Sequence, residues 1–240
     1  MAVRPLRSHI PHLVVALLLL LGMTISTAQA QAAPQRLASS TTICSNSPIP
    51  AGWVVTGSHA ASNCAGTRFS YTITQLTTQT SIKVCNFSPI PSDWVVTSSQ
   101  GTSVCAGTQF DYTLTKLTTQ TSIKVCSFSP IPTGWVVTSS HGTSVCAGTR
   151  YDYTLTKLTT ETSIKVCNFS PIPSDWVVTS SHGTSVCAGT QFDYTLTKLT
   201  TQTSIKVCSF SPIPTGWVVT SSHGTSVCAG TVYDYTITKV

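Results

Sequence analysis

In 240 residues the chain carries 13 Lys and Arg, 7 Asp and Glu and ten Cys, and charged residues make up only 8% of the total. The formal charge of +6 is mild and mostly spread at one or two basic residues per repeat, which argues against nucleic acid as a partner, since no basic cluster is available to track phosphates. With so few charges, solubility must come largely from Ser and Thr hydroxyls at outward positions.

The chain opens with Arg4 and Arg7, an apolar run from Leu13 through Leu21, and Ala28-Gln29-Ala30 before Gln31. Basic, apolar and small residues in that order predict a secretory signal peptide over residues 1–30. The run is well short of the roughly 18 residues that a spanning helix needs, and no second one follows. A secreted or periplasmic mature chain with no membrane span is therefore expected. Residues 31–43 have no periodicity and read as a flexible lead-in.

From there the sequence repeats. Cys44, Cys64, Cys85, Cys105, Cys126, Cys146, Cys167, Cys187, Cys208 and Cys228 follow one another at intervals that alternate 20 and 21, so a 41-residue unit is written five times. Framed on the first cysteine, the repeats are 44–84, 85–125, 126–166, 167–207 and a truncated 208–240.

Each repeat starts with Cys, two variable residues and Ser-Pro-Ile-Pro, as in Ser88-Pro89-Ile90-Pro91. Two prolines in four residues remove two donors and fix two φ angles, so this stretch predicts a polyproline-like bridge rather than a central strand. Ser92-Asp93, or Thr133-Gly134 in the next repeat, then turns the chain. Trp94-Val95-Val96-Thr97 predicts a strand from its composition, and Ser99 to Ser103 a turn. Phe110 to Leu117 carries the longest strand signal, with Phe110, Tyr112 and Leu114 on one face and Asp111, Thr113 and Thr115 on the other. After Thr118 to Thr121, Ser122-Ile123-Lys124-Val125-Cys126 predicts a returning strand. The last repeat lacks such a strand and the first is preceded only by the stub Thr42-Ile43-Cys44, which places the returning strand at the junction between packed neighbours.

No window holds a 3.6-residue apolar period long enough for a helix. The expected fold is all-β: a tandem array of five disulfide-stapled units of about three short antiparallel strands each. Pairing within each repeat (Cys44–Cys64, Cys85–Cys105, Cys126–Cys146, Cys167–Cys187, Cys208–Cys228) uses all ten cysteines, whereas pairing across boundaries strands Cys44 and Cys228 unless the array closes into a ring. Export favours oxidation, and a unit of this size has too little core to be secure alone.

Trp53, Trp94, Trp135, Trp176 and Trp217 have two readings. Core residues beside the cystine is the favoured one, given their Val-Val neighbours; an exposed platform for a sugar or peptide is the other.

Catalysis needs a base, a nucleophile or acid, and a group that orients them. His141, His182 and His223 recur, but Gln100 replaces the histidine in the second repeat without other change, so a turn-exposed polar role is expected. Cysteine intervals of 20 and 21 supply no zinc knuckle, and no phosphate-binding glycine loop or hydrolase motif occurs. Neither enzyme activity, cofactor nor metal is expected. The sequence points to a secreted extracellular repeat protein, structural or adhesive, making many equivalent weak contacts with an extracellular protein or glycan. The alternative is a carbohydrate- or other ligand-binding protein using repeated Trp and Tyr platforms.

Overall fold

A computed structural model describes residues 38–240. The signal-peptide reading over residues 1–30 and the start of the lead-in lie outside the described residues.

Fifteen strands form five three-stranded antiparallel sheets. Unit 1 holds β1 (Ser40–Cys44), β2 (Trp53–Ala60) and β3 (Phe69–Gln75), and unit 2 holds β4 (Ser81–Cys85), β5 (Trp94–Gly101) and β6 (Phe110–Lys116). Unit 3 follows with β7 (Ser122–Cys126), β8 (Trp135–Gly142) and β9 (Tyr151–Lys157), and unit 4 with β10 (Ser163–Cys167), β11 (Trp176–Gly183) and β12 (Phe192–Lys198). Unit 5 closes with β13 (Ser204–Cys208), β14 (Trp217–Gly224) and β15 (Tyr233–Lys239).

In every sheet the third strand lies in the middle, as in the order β4-β6-β5. It pairs antiparallel with both neighbours, Val84 opposite Tyr112 on one side and Ser99 opposite the same Tyr112 on the other. The first two strands therefore run parallel, separated by the third, and the Ser-Pro-Ile-Pro segment carries the chain from one edge to the other. Prolines suit that crossover because it makes no ladder. The bridge ends in a tight turn in which the Trp94 N–H donates to the Pro91 carbonyl at 3.0 Å. Where that turn reads Thr133-Gly134, Gly134 takes φ +80°, a left-handed conformation that glycine adopts without steric cost.

Three expectations change. The returning strand pairs with the long strand of the following repeat, so structural units begin about four residues before the first cysteine. In that frame the fifth unit, Ser204 to Lys239, is a complete sheet rather than a truncated one. At the other end β1 is a full five-residue strand from Ser40, inside the stretch read as lead-in, and pairs with β3 from Ser40↔Thr74 to Cys44↔Ser70.

The predicted turn over Ser99 to Ser103 also moves. The second strand runs on to Gly101 past a bulge at Thr97, between Val96↔Leu114 and Ser98↔Thr113. An extra residue there re-aims the strand, as bulges do, so Ser99 reaches the next unit.

All five disulfides close within units, Cys44–Cys64 to Cys208–Cys228. Each ties the end of the first strand to the loop between the second and third. Each after the first also serves its neighbour: Cys126 and Cys146 of unit 3 pack with Trp94, Val96 and Leu114 of unit 2, a cluster that also takes Val84 and, from unit 1, Val54. The same arrangement recurs one unit on, with Trp135, Val137 and Leu155 against Cys167 and Cys187. A core layer is thus shared by three consecutive units, as nearest-neighbour packing in a repeat array requires.

Polar bonds fix the joint. The Ser99 N–H donates to the Val145 carbonyl at 3.0 Å, and the Ala147 N–H donates to the Ser99 carbonyl at 3.1 Å. The Ser99 hydroxyl donates to the Ala147 carbonyl. Buried inside the joint, the Val96 N–H left free by the bulge donates to Ser129 Oγ at 2.9 Å. Four such joints run in sequence, at Ser58, Ser99, Ser140 and Ser181, and none links unit 5 to unit 1. The units therefore stack linearly and do not close into a ring.

Candidate functional site

Among the described residues the surface features that recur are shallow. Between successive crossovers lie apolar grooves. Ile90, Pro91 and Ser92 face Pro130, Ile131, Pro132 and Thr133 across a groove of about 400 Å³. The next groove, about 300 Å³, lies between Ile131–Trp135 and Pro171–Ser174. The fixed φ of proline holds these walls open and rigid.

Of the five tryptophans singled out in the sequence, Trp94, Trp135 and Trp176 are buried. Trp53 and Trp217, in the terminal units, are half-buried. Trp135 lines the second groove although only 5% of it is exposed, so it can offer an edge but not an open stacking face. The structure therefore places three of the five candidate platforms in the core, where the next unit's disulfide covers them.

Tyrosines are nearer the surface. Tyr112 stacks on Phe128 of the next unit with ring centroids 4.8 Å apart, and Tyr71–Phe87, Tyr153–Phe169 and Tyr194–Phe210 repeat the contact at 4.9 to 5.0 Å. Each phenylalanine is exposed on its other side. Partial burial pushes the Tyr112, Tyr153 and Tyr194 hydroxyls up from the ordinary tyrosine range, because the phenolate is the form that loses solvation.

Threonines on the sheets bond to one another. Thr97 and Thr115 hydroxyls lie 2.8 Å apart, and Thr138–Thr156 and Thr179–Thr197 copy that distance. Between strands, the Thr118 N–H donates to Gln120 Oε1 at 2.7 Å, closing a compact exposed turn. In unit 3 Glu161 occupies that place, and the same backbone bond holds its carboxyl below the usual carboxylate range.

The histidines are exposed, as expected, but stand at the end of a strand rather than in a turn. His141, His182 and His223 lie opposite Asp152, Asp193 and Asp234 on the central strand. His223 Nδ1 comes within 3.8 Å of Asp234 Oδ1. The aspartates are the feature the sequence reading missed: Asp111, Asp152, Asp193 and Asp234 are buried, each with one oxygen that accepts no hydrogen bond. Alternation sets Asp111 on the face away from Phe110, Tyr112 and Leu114, and it stands opposite Cys85, whose disulfide is seated in the preceding unit's core. A carboxylate in the middle of a strand was the available signal, since Asp is depleted there.

Among the described residues no group of three or more His, Cys, Asp or Glu could hold a metal ion, and no helix is long and apolar enough to cross a membrane. Fold and surface together define a disulfide-stapled, all-β tandem-repeat protein. Compared with known proteins, the chain matches no family model, no curated protein and no solved structure.

Proposed function

We propose that this is a secreted, non-catalytic repeat protein with a structural or adhesive role, exercised through many equivalent weak contacts. The observation that carries the reading is the recurrence of one outward surface, Phe face and Thr-rich turn, at every joint of a linear stack, with Pro-Ile-Pro grooves beside it at two of them. A line of identical shallow contacts gains avidity from linkage rather than from a deep pocket. Cross-linking of every unit suits an oxidising exterior, and the amino-terminal pattern of basic, apolar and small residues supports export.

The test is binding of the exported chain to an array of glycans and extracellular polymers, alongside a shortened chain lacking residues 122–203, which joins unit 2 directly to unit 5. Repeated contacts predict that binding of the shortened chain falls far more than in proportion to the units removed. Equal binding by both chains, or none by the full chain, overturns the reading.

A second reading, a carbohydrate- or other ligand-binding protein, is favoured by one observation only: Trp135 borders the groove between the third and fourth crossovers. Titration of the same array ligands with tryptophan fluorescence as the readout separates it, because a ligand in that groove perturbs the indole and a contact on the Thr-rich turns does not.

A further inference from the structure

We infer that the chain assembles head to tail, the open back of unit 5 docking on the front of unit 1 of a second copy. The back of unit 5 is the same surface that units 1 to 4 each bury against a successor. Cys126 to Thr149 and Cys208 to Thr231 are identical in sequence, yet Val136 and Val137 are 0% exposed while Val218 and Val219 are 43% and 47% exposed. The cluster around Ile237, with Trp217 and Tyr235, has no disulfide over it, whereas each of the other four clusters is covered by the cystine of the next unit. The Ser181 N–H and carbonyl bond to the loop of unit 5; the equivalent Ser222 is exposed and faces no following unit.

The front of unit 1 carries the complementary half. Among the described residues its disulfide Cys44–Cys64 is the one clasp not seated in another unit's core. Ser47 occupies the place from which Ser88 and Ser129 accept a bulge N–H of the preceding unit. The Asn63 carbonyl and the Ala65 N–H stand where the Val104 carbonyl and Ala106 N–H bond to Ser58. Several substitutions distinguish this front from the internal ones, among them Asn63 in place of the loop valine, and two of them bear on docking. Asn46 replaces the phenylalanine that stacks on a tyrosine at every internal joint, which makes the intermolecular joint weaker and reversible. Ser70 replaces the buried aspartate beside the clasp, so docking there strands no carboxylate.

Since the two surfaces differ, the contact is heterologous and does not close within one chain, the arrangement that generates open filaments. The occupant is set by continuity: at every internal joint this back is covered by a unit front, and among the described residues four of the five fronts are already filled.

Sedimentation of the exported chain across a wide concentration range tests the proposal, with Val219→Asp blocking the back and Ala65→Glu blocking the front. Both positions are exposed, so neither change disturbs an internal core. The wild-type chain should grow into oligomers with concentration, each variant alone should stay monomeric, and an equimolar mixture of the two should form a 1:1 dimer through the one intact back and the one intact front. Asn46→Phe, which restores the stack against Tyr235, should tighten assembly about threefold to tenfold. A wild-type chain that remains monomeric throughout overturns the inference, as do oligomers indifferent to both variants or a mixture that does not pair.

Discussion

Units 3 and 5 carry the same residues through the crossover, the second strand and the disulfide loop, yet one has a closed core and the other an open one. Val137 in unit 3 lies under the Cys167–Cys187 bridge, while Val219 in unit 5 is half in solvent. Local sequence is therefore not what buries the Trp-Val-Val strand; the succeeding unit does. A sheet of three short strands can bury little by itself, and in this array the disulfide acts twice, closing its own loop and roofing its predecessor.

The largest expected effect follows from that double use. Replacing Cys126 and Cys146 with serine removes a loop constraint worth about 3 kcal/mol and also strips the roof from Trp94, Val96 and Leu114. Replacing Cys44 and Cys64 removes the same constraint but uncovers no neighbour. Urea midpoints should therefore fall further for the internal pair, by at least about 1 kcal/mol; equal losses would show that the bridges act on loops alone.

Next in size is the valine itself. Val137→Ala should cost about 2 kcal/mol, as for a fully buried aliphatic side chain, and Val219→Ala less than about 0.5 kcal/mol. Comparable losses at the two sites, measured by chemical unfolding below the concentration at which the chain associates, would erase the distinction between joint and open end.

Ser129→Ala deletes the hydroxyl that receives the buried Val96 N–H, and should cost about 1–2 kcal/mol. Ser47→Ala, at the front, should be near neutral in the same assay. A front that proved as sensitive as the joint would mean that Ser47 bonds within its own unit.

The smallest effect is set by pH. Tyr112, Tyr153 and Tyr194 have hydroxyls raised by burial, so the unfolded chain releases these protons first as the solution becomes alkaline. The stability these groups contribute is complete below the ordinary tyrosine value, near 10, and is lost as pH rises through the folded values. Thermal midpoints should decline above about pH 10, and the triple Tyr→Phe variant should decline less. An unchanged decline would assign it to other groups.

Much of the fold was legible because the cysteine intervals and the strand alternation recur five times. The all-β class and the three strands per unit follow from single repeats, and the intra-unit pairing from the count over all ten cysteines. What escaped the sequence were relations between repeats. Ser122 to Cys126 belongs with the strand that follows it because its partner, Tyr151 to Lys157, lies in the next repeat, and nothing in the period itself fixes where a unit starts. Thr97 reads as an ordinary strand residue, and only the ladder on either side shows it as the bulge that sends Ser99 across the joint. Alternation separates Asp111 from the apolar face but does not show its burial, because a sheet held between two neighbours has cover on both faces. The favoured core reading of the tryptophans matches Trp94, Trp135 and Trp176, whereas Trp53 and Trp217 are half-buried, and the cystine of the succeeding unit that covers the three was visible only once the units were stacked.

The nesting of each cystine under its predecessor also orders how the protein comes apart in a reducing solution. The four later bridges join buried cysteines, and among the described residues Cys44, at the leading end, is the one cysteine that is partly exposed. Attack must begin there, and each clasp that opens loosens the next, so reduction should travel from the leading end toward the tail like a zip with a single pull.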